Sequence, residues 1–262
     1  MAENRLLVDR QDDILTLTIN RPEKRNALSL VLLDELAATL GAHQEDEKLR
    51  CAVITAAGDR CFAAGGDLKE LDAVRTEADA AAMSRRGRRA LDTVREFPLP
   101  VIGGLNGLAL GGGAELAMAC DLRVASANTE IGFLQAQLNV TTAWGGGIDL
   151  MIALGNHQAL ELLATARRVS AGEAQTLGII NYLCGPEETI QDGLKNYLRT
   201  WRQRSPSVLR GFKAMAIKSR MALHRELSTT EESNLAKTWA HQDHWDAVNA
   251  AARKREQYRS KP

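Results

Sequence analysis

The sequence has no excess of either charge. Its 33 basic and 33 acidic residues cancel, so no global field draws the chain to nucleic acid or to an anionic membrane. The four cysteines, Cys51, Cys61, Cys120 and Cys184, form no CxxC pair and have no histidine at ligand spacing. That pattern excludes a disulfide framework and a sequence-encoded metal site, and it reads as small buried apolar residues in a reducing compartment. No apolar run approaches ~18 residues, and the opening MAENRLLVDRQDD lacks a signal-peptide core. The expectation is a cytoplasmic protein with no membrane partner. No glycine follows three residues after Gly113 and no Lys-Ser/Thr pair follows the glycines, so the fingerprints of dinucleotide and phosphate loops are both missing. Internal repeats and low-complexity linkers are absent as well. A chain of 262 residues is then expected to form one main domain, over 1–200, with a helical segment over 201–262.

What is present centres on Gly103 to Asp121, GGLNGLALGGGAELAMACD. The apolar lead-in, the glycine turn and the following Ala-Glu-Leu-Ala-Met-Ala read as strand, turn and helix start. Such a turn admits a ligand close to main chain, and the first amides of the helix favour negative charge. Glu115 stands in that first turn, either as a plain helix stabiliser or as an acid or base beside an oxyanion site. A second glycine loop, Cys61 to Leu71, offers another half of such a site, its plainer reading being a tight turn with Asp67 as a helix cap.

Along the chain, Leu6 to Asn20 predicts a hairpin turning at Gln11-Asp12-Asp13, and Ser29 caps a helix through Leu40. Cys51 to Thr55 reads as a buried parallel strand. Glu77 to Phe97 predicts a helix whose arginines, 85, 86, 88 and 89, form a solvated face or reach a ligand's phosphates. Asp121 to Ser126 and Ile179 to Leu183 read as strands, Ser170 to Glu173 as a capping box, and Leu209 to Leu223 and Glu226 to Arg259 as helices. The mixture makes an α/β core the natural class. None of the five histidines lies in a motif loop, so neither metal nor nucleophilic roles are expected of them, and His241 and His244 read as one surface face.

Four ordered blocks, RPEKRNALS (21–29), CFAAGGDLKEL (61–71), PVIGGLNGLALGGGAELAMACDLRVAS (100–126) and VSAGEAQTLGIINYL (169–183), carry a resemblance to the crotonase superfamily, the enoyl-CoA hydratase/isomerase fold. The chain resembles that family over nearly its whole length. The resemblance implies a spiral of ββα turns with a C-terminal helical segment, assembly as a homotrimer or hexamer, an acyl-CoA thioester as substrate, and no cofactor besides the coenzyme A that the substrate carries. It also implies that the backbone N–H groups of Gly66 and Gly112 hold the thioester oxygen as an enolate, with Glu115 as the catalytic carboxylate. Lys24, Ala64, Asp67 and Leu68 then line the CoA pocket, with Lys69 and Lys213 as weaker phosphate candidates.

The chain departs from the pattern at Gln135. Hydratases of the family carry a second glutamate in this loop, and an amide exchanges no proton at neutral pH. GGGAEL followed by the Trp144-Gly-Gly turn looks most like the ethylmalonyl-CoA decarboxylase branch, in which one acid protonates an enolate and Trp144 shapes an apolar pocket. Decarboxylation of a 2-substituted malonyl-CoA is therefore the favoured expectation. Hydration or double-bond isomerisation of an enoyl-CoA is the first alternative, with Asp149 as the acid that fast hydration would call for. A non-catalytic acyl-CoA-binding oligomer is the second.

Overall fold

The computed structural model describes residues 4–259, and the side chains of Leu68, Lys69 and residues 254–259 lie outside the described set. In chain order the strands are β1 (Leu6–Gln11), β2 (Ile14–Ile19), β3 (Cys51–Ala56), β4 (Cys61–Ala63), β5 (Val101–Leu105), β6 (Leu108–Leu110), β7 (Leu122–Ala125), β8 (Glu130–Gly132), β9 (Arg168–Ser170) and β10 (Tyr182–Leu183). The helices are α1 (Leu30–His43), α2 (Leu68–Leu71), α3 (Glu77–Glu96), α4 (Gly112–Ala119), α5 (Gly146–Leu154), α6 (Asn156–Thr165), α7 (Ala171–Thr176), α8 (Ile190–Leu198), α9 (Pro206–Ala240) and α10 (Gln242–Arg259). A 3-10 turn over Leu134–Leu138 completes the part that bears on the site.

Two sheets share these strands. One runs β1-β2-β3-β5-β7-β10, antiparallel only between β1 and β2; the other runs β4-β6-β8-β9, parallel through β8. Each turn of the chain gives one strand to each sheet: β3 then β4, β5 then β6, β7 then β8. Because the helices return the chain between these pairs, the result is a spiral of ββα turns in an α/β fold. The pattern of β2 explains its seat, with Leu15, Leu17 and Ile19 fully buried while Thr16 and Thr18 are half-buried. β3 is buried along its whole length, as a strand covered on both faces must be. Leu32, Leu33, Leu36 and Leu40 of α1 are each 0% exposed, and such burial stabilises by roughly 1.5–3 kcal/mol per side chain.

Local chemistry sets the helix starts. Ser29 Oγ accepts the Leu32 N–H at 3.1 Å, Thr76 Oγ1 the Asp79 N–H at 3.1 Å, and Ser170 Oγ the Glu173 N–H at 3.3 Å, each satisfying an amide that has no partner inside its helix. Two expectations change. Ile179 and Ile180 are not strand, because both N–H groups bond back to the Ala174 carbonyl, at 2.8 and 3.1 Å, and close α7. The C-terminal helices break at His241 rather than before Glu226, since His224 faces inward to Asp149 and α9 runs through it.

Candidate active site

The loop before β4's end is held by side chains from the segment 21–28. Asn26 Nδ2 donates to the carbonyls of Ala57 (3.0 Å) and Cys61 (2.7 Å), and Arg21 donates to Ala27 O (2.6 Å) and to the Asp67 carboxylate (2.8 Å). Leu28 bridges the loop, its N–H to Gly65 O at 2.8 Å and its carbonyl to Asp67 N–H at 2.9 Å. In that parallel bridge the N–H of Gly66 faces away from Leu28. Gly112 opens α4, so its N–H lacks an intrahelical acceptor. Among the described residues neither N–H meets a backbone acceptor. They lie side by side, because a Cβ on Gly112 would stand 3.3 Å from the Gly66 nitrogen and inside the Trp144 ring. Glycine is required there by close approach.

Glu115, one turn into α4, is 1% exposed. Its carboxylate accepts N–H groups from Trp144 (2.7 Å), Gly146 (3.0 Å) and Ala143 (3.3 Å), the N-terminal amides of α5 and the turn before it. Gln135 Nε2 donates to Glu115 Oε1 at 2.9 Å, and the Gln135 amide oxygen, also buried, meets no donor among the described residues. Burial raises the Glu115 pKa, the nearby Glu231 carboxylate adds to the rise, and the three amides oppose it, leaving it at about 7. Two helix N-termini thus converge, α4 toward the paired glycine amides and α5 toward the carboxylate. The arrangement can hold an oxyanion with preorganised donors and move a proton beside it.

One cavity of 1170 Å³ contains Lys24, Ala64, Gly66, Asp67, Gly112, Glu115, Gln135 and Trp144. Trp144 is 3% exposed and lies against Gly66, Gly112 and Gly87, which fixes the indole as a wall of the pocket beside the paired glycine amides. The Asp67 carboxylate pairs with Arg21 at 2.8 Å. The side chains of Leu68 and Lys69 lie outside the described residues.

Other expectations are corrected. Lys213 is 3% exposed and paired with Asp121 at 2.6 Å, with burial lowering its pKa, so it reaches no phosphate. Asp149 is locked between Arg95 (2.8 Å), Arg220 (2.8 Å) and His224 (2.7 Å), and the two arginines hold it well below the usual carboxylate range despite its burial. A carboxylate so tied gives up no proton at neutral pH. Of the arginines on α3, Arg85 and Arg86 pair at the surface with Glu232 and Asp34, whereas Arg88 is buried against Glu231.

His241 is exposed, but His244 is 2% exposed and lines the cavity. Its Nδ1 lies 2.7 Å from the Leu138 carbonyl, and its ring stands between Trp239 and Trp245 at 4.6 and 4.8 Å. The sequence signal was the aromatic cluster in TWAHQDHW over 238–245, which an amphipathic reading passes over. Among the described residues no group of three His, Cys, Asp or Glu is arranged to hold a metal ion, and no helix is long and apolar enough to cross a membrane.

Fold and site define a class, a ββα spiral that sets paired main-chain donors beside a buried carboxylate. The family described as Enoyl-CoA hydratase/isomerase matches residues 9–261, and the chain belongs to this family of acyl-CoA enzymes. It is similar to the short-chain-enoyl-CoA hydratase of Clostridium acetobutylicum, 32% identical over 188 residues covering 72% of each chain. The crotonyl-CoA hydratase of Syntrophomonas wolfei is 33% identical over 192 residues, 73% of this chain and 74% of the relative. The crystal structure of an enoyl-CoA hydratase from Bacillus anthracis superposes with a TM-score of 0.78 at 29% identity, covering 96% of this chain and 97% of that one.

Proposed function

We propose that this enzyme acts on a 2-enoyl-CoA thioester or its double-bond isomer through a thioester enolate, with Glu115 as its single proton-transfer group. The observation that carries the reading is Glu115 itself, buried beside Gly66 and Gly112 with a pKa of about 7, where both protonation states are accessible near neutral pH. The names of the relatives, short-chain-enoyl-CoA hydratase and crotonyl-CoA hydratase, favour hydration over decarboxylation. In hydration the Glu115 carboxylate takes a proton from water as the oxygen adds to Cβ. The enolate oxygen rests on the two glycine amides, each worth about 3 kcal/mol to the developing charge. The proton then passes from Glu115 to Cα. In isomerisation the same carboxylate removes one carbon-bound proton and returns it to another. Coenzyme A arrives with the substrate, and the chemistry asks for no resident cofactor.

A specific observation favours a second reading. Gln135 places an amide, not an acid, 2.9 Å from Glu115, and decarboxylation of a 2-substituted malonyl-CoA needs only one acid to protonate the enolate. Membership of an enzyme family displaces the reading as a non-catalytic binder. The apolar Val208, Phe212 and Met215, exposed by 47, 68 and 72% on one face of α9, support a homotrimer or hexamer, which sedimentation would measure. The four cysteines, all buried as free thiols, suit a reducing cytoplasm.

Crotonyl-CoA with water and ethylmalonyl-CoA are to be assayed side by side, with products read by mass spectrometry. Hydration or isomerisation with kcat/KM rising through pH 7 supports the first reading, since it needs Glu115 as a base. Carbon dioxide release with kcat/KM falling above pH 7 supports the second, since it needs Glu115 protonated. Turnover of neither, or turnover unaffected by Glu115→Gln, sinks both.

A further inference from the structure

Behind the site, on the far side of the turn that holds Glu115, lies a largely buried carboxyl group, besides Asp149, that the reaction does not use. Glu231 of α9 accepts the Thr142 hydroxyl at 2.5 Å and pairs with Arg88 of α3, both side chains of that pair being 9% exposed. The turn runs directly from Thr142 to Ala143, Trp144 and Gly146, the amides that bind Glu115. Its glycines bring the two carboxylates up on either side. A Cβ on Gly146 would collide with the Glu115 side chain, and one on Gly147 would stand 3.4 Å from Glu231 Oε1.

We infer that Glu231 is a positioning residue: clamped to Thr142 and Arg88, it fixes the turn that presents amides to Glu115 and sets a second carboxyl group behind that turn.

The ionisable side chains packed about the turn are Glu231, Arg220 and His224 of α9, Arg88 and Arg95 of α3 and Asp149 of α5, while Lys24, Arg25, Asp67, Glu70, Asp72 and His244 line the cavity that Glu115 shares. Arg95, Arg220 and His224 all converge on Asp149, and on the other side of the turn Arg88 pairs with Glu231. Arg88 Nη1 lies toward Gly145, with Nε and Nη1 unpartnered among the described residues, while Glu231 Oε1 faces Thr142 and Gly147 and its Oε2 accepts from Arg88 Nη2. The Glu231 charge accordingly contributes to the raised pKa of Glu115, second only to burial. A like charge raises a carboxyl pKa across low-dielectric interior, where screening by water is weak.

The inference rests on Glu115 being the proton-transfer group of the proposed reaction, yet its test needs no turnover. The full chain carrying glutamate labelled with ¹³C at Cδ is titrated by NMR, the Glu115 signal being the one lost in Glu115→Gln. Glu231→Gln, which keeps a partner for Thr142, is expected to lower the Glu115 midpoint by about half a unit to one unit. Arg88→Met, which leaves Glu231 uncompensated, is expected to raise it, and serves as the second variant should Glu231→Gln not fold. An unmoved midpoint in the folded variants, or shifts of the opposite sign, would overturn the inference. The kcat/KM profile is then measured on the same proteins. A midpoint that moves while the kinetic limb stays put supports the role of Glu231 and overturns Glu115 as the proton-transfer group.

Discussion

Glu115 and Asp149 are two carboxylates buried to the same degree, 1 and 2% exposed, on opposite sides of one turn. The main chain of Trp144 joins them, its N–H donating to Glu115 at 2.7 Å and its carbonyl accepting from Arg95 at 2.7 Å, while Arg95 also binds Asp149. Their surroundings otherwise differ in kind. Asp149 is met by two guanidinium groups, so its charge is repaid by Coulomb attraction inside the protein. Glu115 is met by neutral N–H dipoles, a neutral amide and a like charge, so its ionisation stays finely balanced. Equal burial therefore produces one permanent anion that braces the fold and one group able to exchange a proton.

The largest expected effect removes the exchangeable proton. Glu115→Gln should lower kcat by about 10³-fold, within the range for a positioned acid or base, while acyl-CoA affinity measured by calorimetry changes only severalfold. Next comes the brace. Asp149→Asn removes the counter-charge that Arg95 and Arg220 share, leaving Arg95 with Asp92 at 2.7 Å and Arg220 with Asp121 at 3.5 Å, and should cost about 3 kcal/mol in urea unfolding. The sign with pH follows from the lowered folded pKa: the contribution of Asp149 is present above its unfolded value of about 3.9 and is lost as pH falls toward the folded one. The gap between wild type and Asp149→Asn should therefore close below about pH 4. If it stays constant, the ion cluster is not its origin.

A third change makes the reactive side more like a two-carboxylate site. Gln135→Glu sets a second acid beside Glu115 and should raise crotonyl-CoA hydration about tenfold, with the Glu115 limb displaced to higher pH by the added like charge. Slower hydration would mean that the Gln135 amide itself orients Glu115. The smallest effect is expected at Lys213. Its ammonium is spent on Asp121, so Lys213→Met should leave the KM for acyl-CoA within about twofold while lowering the thermal midpoint by several degrees.

Much of the site was legible because its parts are local. Two glycine loops, the acid one turn into a helix and the Trp-Gly-Gly turn are each contiguous runs whose backbone chemistry is fixed by residue type. The buried polar side chains were not legible in the same way. Lys213, Arg88 and His244 sit in amphipathic, charge-rich segments that read as solvated helix faces, and their burial follows from partners 92, 143 and 106 residues away. A lysine 3% exposed cannot be told from an exposed one until Asp121 is known to lie against it.

The second sheet, β4-β6-β8-β9, was not legible, but by itself the sequence determined the hairpin, the buried strand at Cys51–Thr55, the capped helix starts, the α/β class, the two anion-favouring glycine turns and the presence of an amide at 135. These are properties of short windows, set by side-chain periodicity, missing Cβ atoms and the titration chemistry of single residues. Only the tertiary structure decided which of two buried carboxylates is held ionised and which has its pKa pushed up. That depends on whether the charges brought alongside it are arginines or a glutamate, and α3 and α9 deliver those from opposite ends of the chain.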